Sequence, residues 1–339
     1  MQVRTTRKSQ VNARNTHIDA ALTNFSLAFM QGSDKFVAWR VFPNMQVRHQ
    51  SDRYWQYPRQ FFFTEGFRKK APGSRGGRVV YEIDNTPTFY CDVWSEETAV
   101  EHQTVANADT GIDPENDATE LLTMHGMIKL EKDWCATFFK DGVWTTDYEG
   151  VAGAPGAGEV RQWDDYANSD PLNDIEELKV AQGEMTGQEP NKLVIGRKVW
   201  KALKNHPDIV DRIKYGQTPG SPAKVTKEAV AALMELDEIL VTSAIHNTAQ
   251  QKKTPSYSYI GGNHALLAYA PGQVRWKGQV AGIKFSWNQE APGTNEQGGA
   301  IRSWYEEGTE TQFQELKMAY DLKVVAPDLA CFIKDVVGS

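Results

Sequence analysis

The stretch from residue 113 to residue 142 most constrains how this chain can fold, because it predicts one long helix over residues 114–141. Asp113 can accept hydrogen bonds from the free amides of the first turn, and Pro114 fits the first helical position. Lys140 in the last turn and Gly142 as a left-handed cap predict the end. The apolar residues between them recur at helical spacing. They form a stripe with two flanks: Leu121, Met124, Ile128, Cys135 and Phe138, beside Leu122, Met127, Leu130 and Trp134. At about 1.5 Å per residue the helix is roughly 40 Å long, so we expect it to act as a spine for the rest of the chain.

The composition is typical of a soluble globular protein. The 339 residues include 44 acidic and 37 basic side chains, which gives a formal net charge of -7 at pH 7. This balance argues against a dedicated DNA-binding protein and against a polybasic membrane anchor. The three cysteines are far apart and form no CxxC pair, so we expect neither a disulfide framework nor a zinc site, and we expect a reducing compartment. No apolar run approaches the roughly 20 residues that span a bilayer.

Residues 46–94 predict an extended β loop with two arms. Aromatic residues concentrate over 53–57 and 61–63 in the first arm, and β-branched and aromatic residues over 79–83 and 89–94 in the second. We interpret them as packing residues rather than as a platform for single-stranded nucleic acid, because such platforms normally occur in basic proteins. A two-stranded ribbon is only marginally stable alone, so the loop predicts a partner surface.

The tip of this loop is rich in glycine and carries five clustered bases: Arg68, Lys69, Lys70, Arg75 and Arg78. An isolated subunit gains nothing from crowding like charges, so we expect the tip to dock on an acidic surface of a neighbouring subunit. The candidate partners are acidic residues beside the predicted helix and at its start: Glu96, Glu97, Glu101, Asp113, Glu115 and Asp117.

Residues 1–45 predict an N-terminal arm. Its first part is basic and has too few large apolar groups to form a core, so it needs another surface to lie on. The candidate arm contacts are Leu22, Phe25, Leu27 and Phe29. The apolar residues that follow, up to Phe42, must be buried as well, either by their own subunit or by a neighbour.

The part of the chain after the predicted helix changes character. The small-residue segment 150–159 predicts a linker and a domain boundary. Beyond it strands and helices alternate, which predicts a compact α/β domain. Residues 311–337 predict long strands that return to the spine helix. Taken together, these patterns predict an α+β chain.

No enzyme signature is convincing. The segment 153–158 lacks the lysine and the strand-to-helix context of a phosphate-binding loop, and helix capping accounts for the carboxylates at 109–117 better than a calcium loop. His125 is interpreted as a satisfied core or interface histidine, His206 as a turn residue, and the three cysteines as buried apolar groups. We therefore expect no catalytic residue, no cofactor and no metal site.

Three groups of residues together resemble the tailed-phage major capsid proteins. The first joins residues 36–43 (FVAWRVFP) to 50–55 (QSDRYW). The second joins 106–109 (ANAD) to 113–120, Asp133 with Trp134, and 142–144 (GVW). The third runs from 190–196 (PNKLVIG) through Val199, Trp200 and Leu203 to 205–214 (NHPDIVDRIK), and continues into 226–236 and Val241. The matches span most of the chain in the expected order.

This resemblance implies a Hong Kong 97-like fold and a shell-forming role. The implied parts are the arm (1–45), the extended loop (46–94), a peripheral domain (95–142 with 311–339) and an axial domain (143–310). Hexamers and pentamers of the chain are expected to form the icosahedral head of a virion, assembled in the bacterial cytoplasm, which encloses genomic DNA without binding it specifically. A separate scaffold protein, a portal and optionally a decoration protein are the expected partners, and no membrane is expected. The alternatives are an encapsulin-type compartment shell and a soluble α/β enzyme whose ribbon is a lid.

Overall fold

The computed structural model describes residues 31–108, 112–215, 225–250, 253–273, 278–289 and 299–338. The candidate arm contacts Leu22, Phe25, Leu27 and Phe29 lie outside these ranges. The described helices are α1 (Ala38–Val41), α2 (His102–Ala106), α3 (Pro114–Phe138), α4 (Pro171–Thr186), α5 (Arg197–Asn205), α6 (Pro207–Tyr215) and α7 (Lys227–Leu233).

The described strands fall into two large sheets and two small ribbons. In chain order they are β1 (Asn44–Val47), β2 (Ser51–Arg53), β3 (Thr88–Tyr90), β4 (Asp92–Glu101), β5 (Thr146–Val151), β6 (Glu159–Arg161), β7 (Lys192–Gly196), β8 (Glu238–Thr242), β9 (Ile245–Asn247), β10 (Tyr257–Tyr259), β11 (Ala265–Ala268), β12 (Gly282–Trp287), β13 (Gly299–Glu306), β14 (Thr311–Val324) and β15 (Ala330–Lys334).

The predicted spine helix is α3, and its start is confirmed. The Asp113 side chain accepts hydrogen bonds from the amides of Glu115 and Asn116, both at 3.2 Å, and Pro114 is the first helical residue. The predicted end is wrong, because the helix stops at Phe138 and Phe139 is its C-cap. Gly142 does adopt the left-handed conformation, with φ +74°, but it does so in the turn that follows the helix.

The buried face of α3 is also rotated from the predicted stripe. Leu121, placed in the stripe, is 50% exposed, whereas residues assigned to its flank are buried. The buried face consists of Ala118, Leu122, Gly126, Met127, Leu130, Glu131, Trp134 and Phe138. The helix therefore buries the residues that were predicted to lie beside the stripe, and one of the buried groups is the carboxyl of Glu131.

The long strand β14 organises the sheet beneath α3. It pairs with β13 and β12, and with β4 over ten residues, while β1 adds to β12 in parallel. The helix lies close to β14 because Gly126 has no side chain: a Cβ there would be 2.5 Å from Leu316 Cδ2. Thr119 and Tyr320 add hydrogen bonds between the two elements, at 2.8 Å to Gln314 and 2.6 Å to Asp133.

The second sheet has the order β6-β5-β15-β11-β7-β8 and contains the alternating strands and helices that the sequence predicts. One face packs on α4, α5, α6 and α7 through residues such as Ile195 and Leu267. The other face packs on α1 and the end of α3 through residues such as Val194 and Phe332. Burial on both faces explains why β7, β8 and β11 are continuous apolar runs.

The segment 150–159 is not the predicted linker. Gly150 lies inside β5, Glu159 begins β6, and these two strands are parallel neighbours in one sheet. Strand membership also crosses the residue ranges given above for the two domains. Strands β12 and β13 lie within 143–310 but pair with β14, and β15 lies within 311–339 but occupies the middle of the second sheet.

The apolar residues before Pro43 are buried by their own chain. Phe36, Val37, Val41 and Phe42 are at most 3% exposed. Phe42 contacts the rings of Phe138 and Trp134 at the end of α3, with ring centroids 4.7 and 6.1 Å apart. Of the two alternatives for this segment, burial within the subunit holds for residues 36–42.

Candidate assembly interface

The extended loop is held to the body at its base. Strands β2 and β3 pair over three residues, and Gln56 and Asp84 exchange backbone hydrogen bonds of 2.8 and 2.9 Å beyond them. The side-chain amide of Gln56 also donates a hydrogen bond to the Val325 carbonyl, at 2.8 Å. Beyond this bridge no strand pairing is described, so the predicted strand over 79–83 is wrong for the single chain.

Aromatic stacking and one ion pair strengthen the base. Phe89 stacks on Phe285 with ring centroids 4.5 Å apart, and the ring of Tyr54 lies 5.7 Å from Phe285. Arg59 pairs with Asp328 at 3.1 Å, although both side chains are partly exposed. Between the loop base and the body lies an open groove of about 1460 Å³. The contacts of the loop with the body are therefore concentrated in the residues next to β2 and β3.

The outer part of the loop exposes large apolar side chains. Phe67 is 95% exposed, and Phe62 and Phe63 are each more than half exposed. On the returning arm, the exposed residues are Val79, Val80 and Tyr81. Exposed apolar groups in such a concentration mark an interaction surface rather than a solvated loop.

The five predicted tip bases, Arg68, Lys69, Lys70, Arg75 and Arg78, are all exposed. None of them takes part in an ion pair within the described part of the chain. The tip thus combines positive charge with Phe67, which the sequence reasoning missed. The available signal was a single aromatic residue directly before three clustered bases.

The acidic candidates on β4 are exposed along the free edge of the long sheet. Glu96, Glu97 and Glu101 lie on this strand, which pairs with β14 on one side and has no described strand on the other. Glu96 faces α3, where both carboxylate oxygens lie 3.1 Å from Nδ1 of His125. Glu97 is opposite Glu315 on the other face of the sheet.

The acidic candidates at the start of α3 are exposed too, but one is already engaged. Asp113 is the N-cap, and its second oxygen accepts from the Asn116 side chain at 2.6 Å. Glu115 and Asp117 extend into solvent in the first turn, where the helix dipole favours negative charge.

The fold brings the two acidic groups to one side of the molecule. Strand β4 runs toward the start of α3. The ammonium of Lys129 lies over the ring of Trp94, and His125 lies beside Glu96. Glu101 is at the end of the strand that is nearest the first helical turns. Within the described part of the chain, no ion pair joins the tip bases to this acidic side.

The histidines and cysteines outside the loop tip and the acidic side have roles in packing and hydrogen bonding. His125 is 44% exposed and is not a core residue. His206 lies in the turn between α5 and α6, as predicted, but it is fully buried there, with Nε2 3.1 Å from the Ser169 hydroxyl. Burial raises the pKa of Cys91 and Cys331 to about 12, so their thiols remain protonated. Within the described ranges no group of residues could hold a metal ion, and no helix is long and apolar enough to cross a membrane.

Known proteins similar to this chain form shells. No family model matches it. Over 332 residues it is 25% identical to the major capsid protein of Pseudomonas phage JBD67, an alignment that covers 95% of this chain and 98% of that protein. Over 107 residues, 32% of each chain, it is 35% identical to the major capsid protein of Burkholderia phage BcepMu.

Solved structures agree over nearly the whole chain. A phage-related protein from Bordetella bronchiseptica RB50 superposes with a TM-score of 0.64 at 18% identity and covers 90% of this chain and 93% of its own. The capsid of cyanophage P-SCSP1u gives 0.60 at 12% identity, with 96% of both chains covered. The SrpI encapsulin of Synechococcus elongatus PCC 7942 gives 0.56 at 11% identity, with 94% and 95% covered. The chain therefore has the Hong Kong 97-like capsid fold, as its sequence resemblance predicted, and is similar over nearly its whole length to a phage major capsid protein.

Proposed function

We propose that this chain is the major capsid protein of a tailed phage, and that its hexamers and pentamers close an icosahedral shell around the phage genome. The observation that carries the proposal is the extended loop, which is fixed at its base and presents Phe67, Val79, Val80 and Tyr81 to solvent. Exposing these side chains to water is unfavourable for a single subunit, whereas in a shell each subunit can bury them against a neighbouring subunit.

The two alternatives are weaker. An encapsulin shell has the same fold, but the encapsulin is only 11% identical to this chain, whereas the phage major capsid protein is 25% identical over 332 residues. A soluble enzyme with a ribbon lid would need a group of reactive side chains under the loop. The groove there is lined by aromatic and aliphatic residues together with polar ones such as His49, Asp52 and Asp84, and Arg59 and Asp328 are engaged with each other. The similarity to a phage major capsid protein favours a structural role over a catalytic one.

We further propose that the loop tip docks on the acidic side of a neighbouring subunit. Arg68, Lys69 and Lys70 supply complementary charge, and Phe67 supplies the apolar anchor that exposed ion pairs lack. Each exposed pair contributes about 0.2–1 kcal/mol. A fully buried aromatic side chain contributes roughly 1.5–3 kcal/mol, so Phe67 is expected to dominate the contact.

The remaining parts of the proposal rest on the sequence. Leu22, Phe25, Leu27 and Phe29 of the arm contact neighbouring subunits. A separate scaffold protein, a portal and optionally a decoration protein are the partners. The particle assembles in the bacterial cytoplasm and becomes the head of the virion. Since the net charge is -7, the subunit encloses DNA without holding it through many phosphate contacts.

Replacing Phe67 tests the proposal. Phe67→Ser is expected to leave the subunit folded, because the side chain is 95% exposed, and to reduce the yield of fast-sedimenting shells at least tenfold. Phe67→Leu should restore most of the yield. The matched control is Val180→Ser, which removes an apolar side chain that is 51% exposed on α4. A normal shell yield from Phe67→Ser would show that the loop tip is not part of the assembly contact.

A further inference from the structure

Glu131 of α3 is a carboxyl in the middle of a buried apolar face. Its side chain is 0% exposed. One oxygen, Oε2, accepts hydrogen bonds from the amides of Val37 at 2.9 Å and Ala38 at 2.8 Å. These amides open α1, whose N-cap residue supplies no side-chain bond of its own. The carboxyl thus ties the spine helix to the segment that leads out of the N-terminal arm.

The second oxygen of Glu131 is left without compensation. Oε1 has no hydrogen-bond partner among the described residues, and neither has the nearby hydroxyl of Thr242. Burial raises the pKa of Glu131 to about 7. The amides of Ala38 and Val37 limit this rise, and the Thr242 side chain lowers the pKa as well without completing a hydrogen bond. An ionised carboxylate here is therefore costly.

Among the described residues, no cation forms an ion pair with Glu131. From α1, Arg40 is directed to Glu238 on β8. On α3, Lys132 is exposed, and Cys135 follows one turn after Glu131, with a thiol pKa raised first by burial and then by the charge of Glu131. Before α1, Lys35 is exposed and reaches the end of β8 only through its carbonyl, which accepts from Ser243.

We propose that Glu131 is a charge-dependent clamp, which holds residues 36–41 on α3 while its carboxyl is neutral and loosens them when it ionises. The neutral carboxyl still accepts both amides at Oε2. Ionisation leaves a buried negative charge that water can reach only if the segment lifts. The clamp is a property of the folded subunit and does not depend on the proposed function. In a shell it would set how firmly the root of the arm is held.

The direction of the pH dependence follows from proton linkage. The carboxyl binds its proton more tightly when the segment is closed, with a pKa near 7, than when it is open and near its ordinary value of 4.5. The closed state is therefore favoured at low pH, and the advantage is lost as pH rises from about 4.5 to 7. Between pH 5 and pH 7.5 the opening constant should rise roughly 50-fold.

Hydrogen–deuterium exchange of the full-length subunit tests the clamp. After correction for intrinsic rates, protection of peptides that cover residues 36–42 should fall roughly 50-fold from pH 5 to pH 7.5. Glu131→Gln, which keeps an amide acceptor but cannot ionise, should show the same protection at both pH values. Glu120→Gln, an exposed glutamate on the same helix, should behave like the wild type.

A second variant keeps the test decisive if Glu131→Gln does not fold. Thr242→Val removes the hydroxyl that lowers the pKa of Glu131, so the fall in protection should move to higher pH. Protection that does not change with pH in the wild type, or that changes equally in Glu131→Gln, overturns the clamp. An unmoved midpoint in Thr242→Val does so as well.

Discussion

At the scale of single residues, helix starts were predictable and buried polar residues were not. Asp113 caps the helix that the sequence assigns to it, because capping depends only on local spacing, and Asp170 and Thr226 cap α4 and α7 in the same way. Glu131 and His206 were missed as buried groups. Their burial depends on Val37 with Ala38 and on Ser169, which lie far away in the sequence.

Close backbone approach at Gly196 gives a residue-scale prediction. This residue ends β7, and a Cβ on it would lie 2.1 Å from the carbonyl oxygen of Gly262. Because a backbone atom cannot rotate away, Gly196→Ala should lower the free energy of unfolding by about 1–3 kcal/mol, measured by denaturant titration of the unassembled subunit. Gly153→Ala is the control, since nothing lies within 4 Å of its added Cβ. Equal stability of both variants would contradict the packing at Gly196.

At the scale of elements, the periodicity of the apolar residues predicted which helices and strands exist but not which strands pair with each other. The spine helix and the alternation of strands and helices around the second sheet were both predicted from the sequence. The predicted second arm of the loop fails at 79–83, although those residues favour strands, because a strand needs a neighbouring edge that the single chain does not supply. Likewise, nothing local reveals that β12 pairs with β14 or that β15 lies between β5 and β11.

Charge reversal at the loop tip tests how this element docks. Lys69→Glu with Lys70→Glu should leave the subunit folded and make shells less stable to heating, because attraction to the acidic side becomes repulsion. Added salt should narrow the difference from the wild type, since salt screens exposed charges. Glu96→Lys with Glu97→Lys in the same chain should partly restore stability.

The control for charge reversal is Lys198→Glu with Lys201→Glu, which makes the same change in net charge on exposed positions of α5. Only the tip pair should respond to the compensating changes on β4. Unchanged thermal stability and salt response of the tip pair would mean that the charges do not contribute to docking.

At the scale of the whole molecule, the subunit is built of a rigid body and a projecting loop. The end of α3 joins the two large sheets through Trp134, Phe138 and Phe139, so the spine helix carries the core. The loop adds apolar and basic surface that this core does not use. Weak contacts of this kind become significant when a closed shell repeats them on every subunit. The projecting loop could be predicted from the sequence because residues 46–94 are rich in aromatic side chains, and a two-stranded ribbon cannot bury such side chains by itself.

The most direct measurement is an electron cryomicroscopy reconstruction of the particles formed by the purified protein. The account predicts closed shells of hexamers and pentamers, in which Phe67 is buried on a neighbouring subunit and Lys69 and Lys70 lie beside the acidic residues of β4 or the start of α3. A protein that stays monomeric under all assembly conditions, or shells in which the loop tips project into solvent without contacting a neighbour, would contradict it.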